Sequence, residues 1–420
     1  MRIAIVGAGA GGLSAARRLR EQGFDPVIFE AGSHVGGLWV YENDNGFAQA
    51  YKALHINSAT EITAYDGFPF PEGTPTYPRH DQMATYFVRF AERFDLMRSI
   101  RFKTPVTGLT RMGNTWTVHT DSGDHEFDHV VIASGHQSLP NMPELPGTFD
   151  GKVLHSREYR TSDPYHDKRV LVLGVGNSGL DIAADICTVA EHTVISARSP
   201  VLILPRMVFG KPASRVLGAF EKPWIPSFVK QKLREFLAVA AHGRMEQWGF
   251  ETAKTRTHPT SHPTAMHHMI WHRIVGKPGV KSIEGRTVTF ANGTADDFDY
   301  IIAATGYRTE IPFLSKDLQP SDGRNINLYR RIILPGTENL YFHGMFNVSG
   351  GANVPMLDEQ ARWIAASIAG KISQPSSEQM KQSIREEQER MAKRYPDSYR
   401  YGLELDPGRY LKQIRREYAR

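Results

Sequence analysis

Apolar residues fall in short runs that alternate with helical patterns. Ile3 to Val6 is a compact run followed by glycines, then a segment with Leu13, Ala16 and Leu19 on one helical face, a stop at Gly23 and a second run from Val27 to Glu30. That order predicts a βαβ unit of about 30 residues. The pattern returns from about Lys168 to Ser199, with Val170 to Leu173 as its first strand. Between the two, periodicity predicts a helix from Met83 to Phe94 and strands near Trp116 to His119 and Phe127 to Ile132, the last ending at Ala133-Ser134-Gly135.

Residues 40 to 80 are rich in Asn, Gly, Pro and aromatics and show little period, which predicts a long functional loop. Residues 205 to 275 carry Pro, Trp and His with one amphipathic stretch, Phe228 to Val239, expected as a helix on the domain surface. A strand from Tyr300 to Ala304 ends at Thr305-Gly306, and helices are expected near Asp358 to Ile368 and beyond. The fold expected is α/β: two Rossmann-like, three-layer ββα dinucleotide-binding domains, the smaller inserted in the larger. Residues 1–160 are expected to form the first part of the larger domain, 161–304 the inserted smaller domain with its excursion at about 205–275, and 305–420 the second part of the larger domain with C-terminal helices.

The chemistry begins with the glycines. Gly7-Ala8-Gly9-Ala10-Gly11-Gly12 and Gly174-Val175-Gly176-Asn177-Ser178-Gly179 both satisfy G-x-G-x-x-G, and both follow a strand and open a helix. In such a loop the first Gly makes the turn, the second admits pyrophosphate to the backbone, and the third lets helix meet strand. Counting onward separates the two. From Gly7, 23 positions lead to Glu30; from Gly174, 23 positions lead to Ala197, with Arg198 and Ser199 next. A carboxylate accepts hydrogen bonds from both ribose hydroxyls, as FAD or NAD requires, whereas a guanidinium suits the 2′-phosphate of NADPH.

Composition adds exclusions. The chain has 420 residues, 40% hydrophobic and 23% charged, ordinary for a globular protein, and a formal charge of +5 spread along its length without a basic stripe. No nucleic-acid role is expected. The single cysteine, Cys187, excludes an intrachain disulfide and a C-x-x-C redox pair, and its apolar helical setting predicts a buried thiol. The chain opens on a strand with no leader, and no run of about 18 apolar residues occurs. Stable membrane insertion is not expected and a cytoplasmic location is. Glu338 to Gly344 is similar to a protease-cleavage tag but continues a strand pattern and reads as native.

Two dinucleotide sites without a dithiol imply hydride passing from NADPH to FAD and on to an acceptor the chain does not carry, for which dioxygen is the obvious candidate. Phe149, Gly151, His155 and Tyr159 match F-x-G-x-x-x-H-x-x-x-Y, and the chain thereby resembles the flavin-containing monooxygenases, class B flavoprotein monooxygenases. The related Baeyer–Villiger enzymes usually carry Trp at the place of Tyr159. Gly36-Gly37-Leu38-Trp39 resembles the family's G-G-x-W segment, Ala303-Ala304-Thr305-Gly306-Tyr307 its F-A-T-G-Y string, and Asn177 to Ala183 its N-S-G-x-D-I-A turn. Asn57 aligns with the active-site asparagine, preceded by Ile56 where the family has a polar residue.

The resemblance implies that NADPH reduces FAD and that dioxygen forms a C4a-hydroperoxyflavin, shielded by retained NADP⁺ until a soft sulfur or nitrogen nucleophile of a small molecule attacks it. For FAD it implies contacts from Gly7, Gly9, Gly11, Gly12, Glu30, Gly37, Leu38, Trp39 and Val106. For NADPH it implies Asn57, Gly174, Gly176, Asn177, Ser178, Asp181, Arg198, Ser199, Thr305 and Gly306. Asn57 is the catalytic candidate, while His155 and Tyr159 fix geometry. Baeyer–Villiger oxygenation of ketones, an NADPH oxidase or reductase that passes electrons to a quinone or uncouples to hydrogen peroxide, and a non-catalytic NADPH sensor are the competing readings. A homodimer is compatible with the sequence. His258, His262, His267, His268 and His272 form the densest histidine cluster, but no acid or cysteine nearby in sequence completes a metal set, and none is expected.

Overall fold

The computed structural model describes residues 1–220, 225–254, 260–348, 351–395 and 401–418. It is α/β, and its contacts divide the chain into two units. The first comprises residues 1–50, 58–139 and 307–420; the second comprises 51–57 and 140–306.

The first unit is built on a five-stranded parallel sheet ordered Leu340–Phe342, His129–Ile132, Ile3–Val6, Val27–Phe29, Ile100–Arg101. Apart from His129 and Arg101 at strand ends these runs are apolar, because both faces of the sheet are covered. Ala4, Val6, Phe29, Val130 and Ile132 pack against Leu109, Trp116, Val118 and Phe127 of an antiparallel sheet formed by Val106–Met112, Thr115–Thr120 and Gly123–Phe127. On the other face lies the helix Ala10–Glu21, joined to the helix Asn353–Ile368 by a buried ion pair of Arg18 with Asp358. The strand Leu340–Phe342 is the buried middle of the tag-like string, at an edge of the sheet.

The second unit repeats the plan. Its parallel sheet runs Lys152–His155, Tyr300–Ala303, Arg169–Leu173, His192–Ala197, Ile274–Pro278. Leu171, Val194 and Ile301 pack on a four-stranded sheet through Ile283, Val288, Phe290 and Phe298, while Val170, Val172, Ile195 and Ile302 face Leu180, Ile182 and Ile186 of the helix Asn177–Ile186. Both units are therefore three-layer ββα Rossmann-like folds, and by sequence the second interrupts the first.

The second unit begins at Pro140, ahead of the expected position 161. The reason lies in strand pairing: Gly147–Phe149 pairs with Val280–Gly285, and Lys152–His155 pairs with Tyr300–Ala303. The excursion contains helices Ala213–Phe220, Ser227–His242 and Pro263–Ile270. In the expected long loop only one helical turn forms, Thr60–Thr63.

Candidate functional site

In the first unit the Gly7 amide donates to the Phe29 carbonyl at 2.8 Å, which joins the first strand to the second where the chain turns. Gly7 has φ +103°, and a Cβ there would lie 2.7 Å from the Ala133 carbonyl oxygen, so glycine is required twice over. A Cβ on Gly12 would lie 1.8 Å from the Gly7 oxygen. Gly9 is the N-cap of the helix Ala10–Glu21, and no side chain caps that end. The first amides of the helix are thus left for a ligand anion, the cradle that a pyrophosphate fits.

Glu30 closes the cradle. Its Oε2 accepts from the Ala8 amide at 2.7 Å and its Oε1 from the Gly32 amide at 2.9 Å, with the residue 4% exposed. Burial pushes this carboxyl up, and the Gly32 and Ala8 amides oppose the shift. Each oxygen keeps a second lone pair for a ribose hydroxyl. Gly36 donates to the Ala8 carbonyl at 3.1 Å, and Gly37 lies against Gly9, where its Cβ would meet the Gly9 Cα at 3.1 Å. The turn Gly37–Trp39 therefore sits on the glycine loop, with Leu38 exposed and Trp39 half-buried. Val106 opens the antiparallel sheet, partly buried against its core. Gly11 has the ring of His343 beside it, Nδ1 3.4 Å from where a Cβ would stand.

The second unit carries the same cradle. Gly174 donates to the Ser196 carbonyl at 2.9 Å, has φ +110°, and would place a Cβ 2.6 Å from the Ala304 oxygen; a Cβ on Gly179 would lie 1.9 Å from the Gly174 oxygen. Gly176 is the uncapped N-cap of the helix Asn177–Ile186, with Ser178 exposed on its first turn. Since Ser196 stands where Phe29 does, Ala197 stands where Glu30 does. Arg198 and Ser199 follow, both exposed. The carboxylate is absent from the ribose position and a cation is adjacent, an arrangement that fits a 2′-phosphate.

The four identifying residues are internal to this unit. Phe149 packs on the second sheet's core, and a Cβ on Gly151 would strike the Phe149 ring and the Asp299 carbonyl, both at 2.5 Å. His155 is fully buried: its Nδ1 accepts from the Arg157 amide at 3.1 Å, so the proton sits on Nε2, which donates to the Gly306 carbonyl at 2.9 Å. Burial holds this imidazole below its ordinary range. Tyr159, also fully buried, donates to Asp185 Oδ2 at 2.6 Å on the fingerprint helix. Thr305 donates to the Asn141 carbonyl at 2.6 Å, which fixes the turn that carries Gly306.

Asn57 belongs to the segment 51–57 of this unit. Tyr51 is buried beside Tyr159, ring centroids 5.8 Å apart, and the Lys52 amide donates to the Arg160 carbonyl at 2.9 Å. Ile56 is buried and Asn57 exposed, its Oδ1 accepting from Arg206 Nη2 at 3.0 Å. Asp181 faces inward: Oδ2 accepts from the Tyr51 hydroxyl at 2.5 Å, and Oδ1 pairs with His262 Nε2 at 2.7 Å. His262 Nδ1 caps the helix Pro263–Ile270 by accepting from the Ala265 amide at 2.9 Å. Sequence spacing marks His262 as a helix start, directly before Pro263, but gives no sign that Asp181 meets it.

His258 lies outside the described residues. Among the described residues no three His, Cys, Asp or Glu side chains gather as a metal site, and no helix is long and apolar enough to cross a membrane. Cys187 is buried, its Sγ donating to the Ala184 carbonyl at 3.3 Å, and burial pushes the thiol up to about 12.

A family model described as flavin-binding monooxygenase-like matches residues 1–418. Human flavin-containing monooxygenase 3 is 32% identical over 416 residues, covering 93% of this chain and 78% of its own. The S-allyl-L-cysteine S-oxygenase of Allium sativum superposes with a TM-score of 0.75 at 25% identity, over 100% of this chain and 88% of its own. Cyclohexanone monooxygenase from Rhodococcus sp. Phi1, solved with NADP⁺, shares the fold with a TM-score of 0.69 at 19% identity, over 100% of this chain and 97% of its own.

Proposed function

Because the chain belongs to the flavin-binding monooxygenase-like family, we propose that this oxidoreductase uses FAD, NADPH and dioxygen to oxygenate the sulfur or nitrogen of a small soft nucleophile. One observation carries the assignment of cofactors to cradles: the same fold occurs twice, with the buried carboxylate of Glu30 in one copy and Ala197 followed by Arg198 in the other.

In this reading the amides of the helix Ala10–Glu21 and the loop Gly7 to Gly12 hold the FAD pyrophosphate, Glu30 takes the ribose hydroxyls, and Gly37, Leu38, Trp39 and Val106 contact the rest of the cofactor. Gly174, Gly176, Asn177 and Ser178 receive the NADPH pyrophosphate, with Arg198 and Ser199 on the 2′-phosphate and Thr305 and Gly306 at the strand end. Asp181, satisfied by Tyr51 and His262, contributes by fixing the helix and the Asn57 segment. Bound there, the cofactors supply hydride and the activation of dioxygen. Asn57 supplies an amide that needs no shift in protonation, and the protein's share of the work is orientation and exclusion of water.

The test is NADPH consumption against a panel of amines, sulfides and ketones, with hydrogen peroxide quantified in parallel. Oxide product equal to NADPH consumed, for a sulfide or an amine, supports the proposal. Peroxide equal to NADPH with every compound makes the protein an oxidase, and ester or lactone formed only from ketones makes it a Baeyer–Villiger enzyme.

A further inference from the structure

The amide of Asn57 does not choose its own direction. Its Oδ1 is met by Nη2 of Arg206 at 3.0 Å. A guanidinium has five N–H donors and no acceptor, so only the oxygen of the Asn57 amide can face it; the orientation follows from the chemistry of the pair and not from which atom was labelled oxygen. The amide oxygen is thereby held on Arg206, and the pair of N–H bonds is fixed in the direction away from it.

Arg206 is itself held. The same Nη2 donates to the Ser261 carbonyl at 3.1 Å, and the Ser261 amide in turn donates to Oδ1 of Asn177 at 3.4 Å. Asn177 is the first residue of the second fingerprint helix. Other supports of the 51–57 segment act on its backbone, on Tyr51 and through apolar burial: the Lys52 amide on Arg160, the Tyr51 hydroxyl on Asp181, Leu54 against the core and the buried Ile56. Side-chain direction at Asn57 thus depends on a contact from the 205–275 excursion, which no motif in the sequence marks.

We propose that Arg206 is a positioning residue for the reaction: by taking the amide oxygen of Asn57 it commits that side chain to act as a hydrogen-bond donor. The proposal rests on the reading of Asn57 as the amide at the reacting centre. Without Arg206, an amide free to turn by a half-rotation offers oxygen or nitrogen with little preference, and the fraction of productive turnovers falls.

The test uses holoenzyme and two independent readouts. The first is the side-chain ¹⁵N–¹H pair of Asn57 in selectively Asn-labelled protein, assigned by its loss in Asn57→Asp. Arg206→Ala should move and broaden this pair and Arg206→Lys should restore it in part; a pair unmoved in Arg206→Ala overturns the link whatever Asn57 does in catalysis. The second is a double-mutant cycle on peroxide released per NADPH consumed. Arg206→Ala and Asn57→Ala should each raise the leak roughly 5- to 10-fold, the size of effect expected from one lost hydrogen bond, and the double variant should match Asn57→Ala alone. Additive effects overturn action through Asn57. Asn57→Asp separates donor from shape: its carboxylate keeps Arg206 but has no N–H, so it should leak like Asn57→Ala at undiminished thermal stability, and a wild-type leak overturns the donor role. If Asn57→Ala itself leaks no more than wild type while the amide pair still responds to Arg206, the reading of Asn57 has failed and the positioning contact stands.

Discussion

Glu30 and Ala197 occupy the same place in two copies of one motif. The bonds from Gly7 to Phe29 and from Gly174 to Ser196 fix that register independently of any residue count. In the first copy a buried carboxylate braces the loop through the Ala8 amide; in the second the methyl of Ala197 leaves the position open beside Arg198. On the proposed assignment of the two cradles, this one side chain decides whether a 2′-phosphate is repelled or accepted.

Exchanging that side chain should exchange the preference. Arg198→Ala is expected to weaken NADPH use about 10- to 100-fold and leave NADH nearly unchanged, since a charged hydrogen bond contributes about 1.5–3 kcal/mol. Adding Ala197→Glu should then favour NADH outright. Steady-state kcat/KM for both nucleotides decides it, and equal losses with the two would remove Arg198 from the phosphate site.

On the same proposed assignment, the third glycines should separate the two cofactors. A methyl at Gly12 would stand 1.8 Å from a carbonyl oxygen and one at Gly179 1.9 Å, distances only a backbone shift can relieve. Such overpacking costs about 1–3 kcal/mol and opens the strand–helix turn. Gly12→Ala should purify with little flavin. Gly179→Ala should purify yellow but reduce slowly with NADPH, as anaerobic stopped-flow absorbance would record. A colourless Gly179→Ala would mean that the cradles are assigned the wrong way round.

The glycine loops, the 23-residue count and the Phe149 to Tyr159 string were legible because each is local: one turn, one strand length, one short motif. What was not legible depends on side chains meeting across long sequence separations. The segment 51–57 has no period of its own and joins the second unit through Tyr51 and Lys52. The expectation that Asp181 meets a cofactor comes from its motif, whereas its pairing with Tyr51 and His262 has no signal in the sequence. Arg206 had no motif to mark it. The expected start of the second unit, 161, falls after the observed Pro140 because Gly147–Phe149 and Lys152–His155 are too short to declare a sheet until their partners, more than a hundred residues on, are in place.

Tyr159 serves as a fixed brace. Burial, then the bond to Asp185, pushes its phenol far above the ordinary range, so it remains a donor at every working pH. Tyr159→Phe should lower stability by about 1–3 kcal/mol, the cost of leaving a half-buried carboxylate short of a partner, while the ratio of product to NADPH stays near wild type. Chemical denaturation and coupling assays on the same preparation test both halves. A large fall in kcat at unchanged stability would restore a proton-transfer role.

Acid should act first on the buried histidines. His343 is 2% exposed, with Nε2 donating to the Leu357 carbonyl at 2.9 Å, and burial drives its pKa down to about 4. The unfolded chain, with a histidine pKa of about 6.5, binds this proton more readily, so the native state's advantage is complete above that pH and is lost as pH falls toward 4. Each pH unit of separation is worth about 1.4 kcal/mol, which makes the loss about 2–3 kcal/mol by pH 4.5. His136, His155 and His192, also lowered by burial, add in the same direction; Glu30, raised by burial, acts in the opposite one. His343→Gln should be less stable than wild type at pH 7, and the gap should narrow by about 2–3 kcal/mol by pH 4.5. Because the His343 ring lies against Gly11, flavin fluorescence released on acidification should follow the same curve in wild type and shift to lower pH in the variant. Parallel stability curves for the two proteins between pH 7 and 4.5 would show that His343 does not set the acid limit.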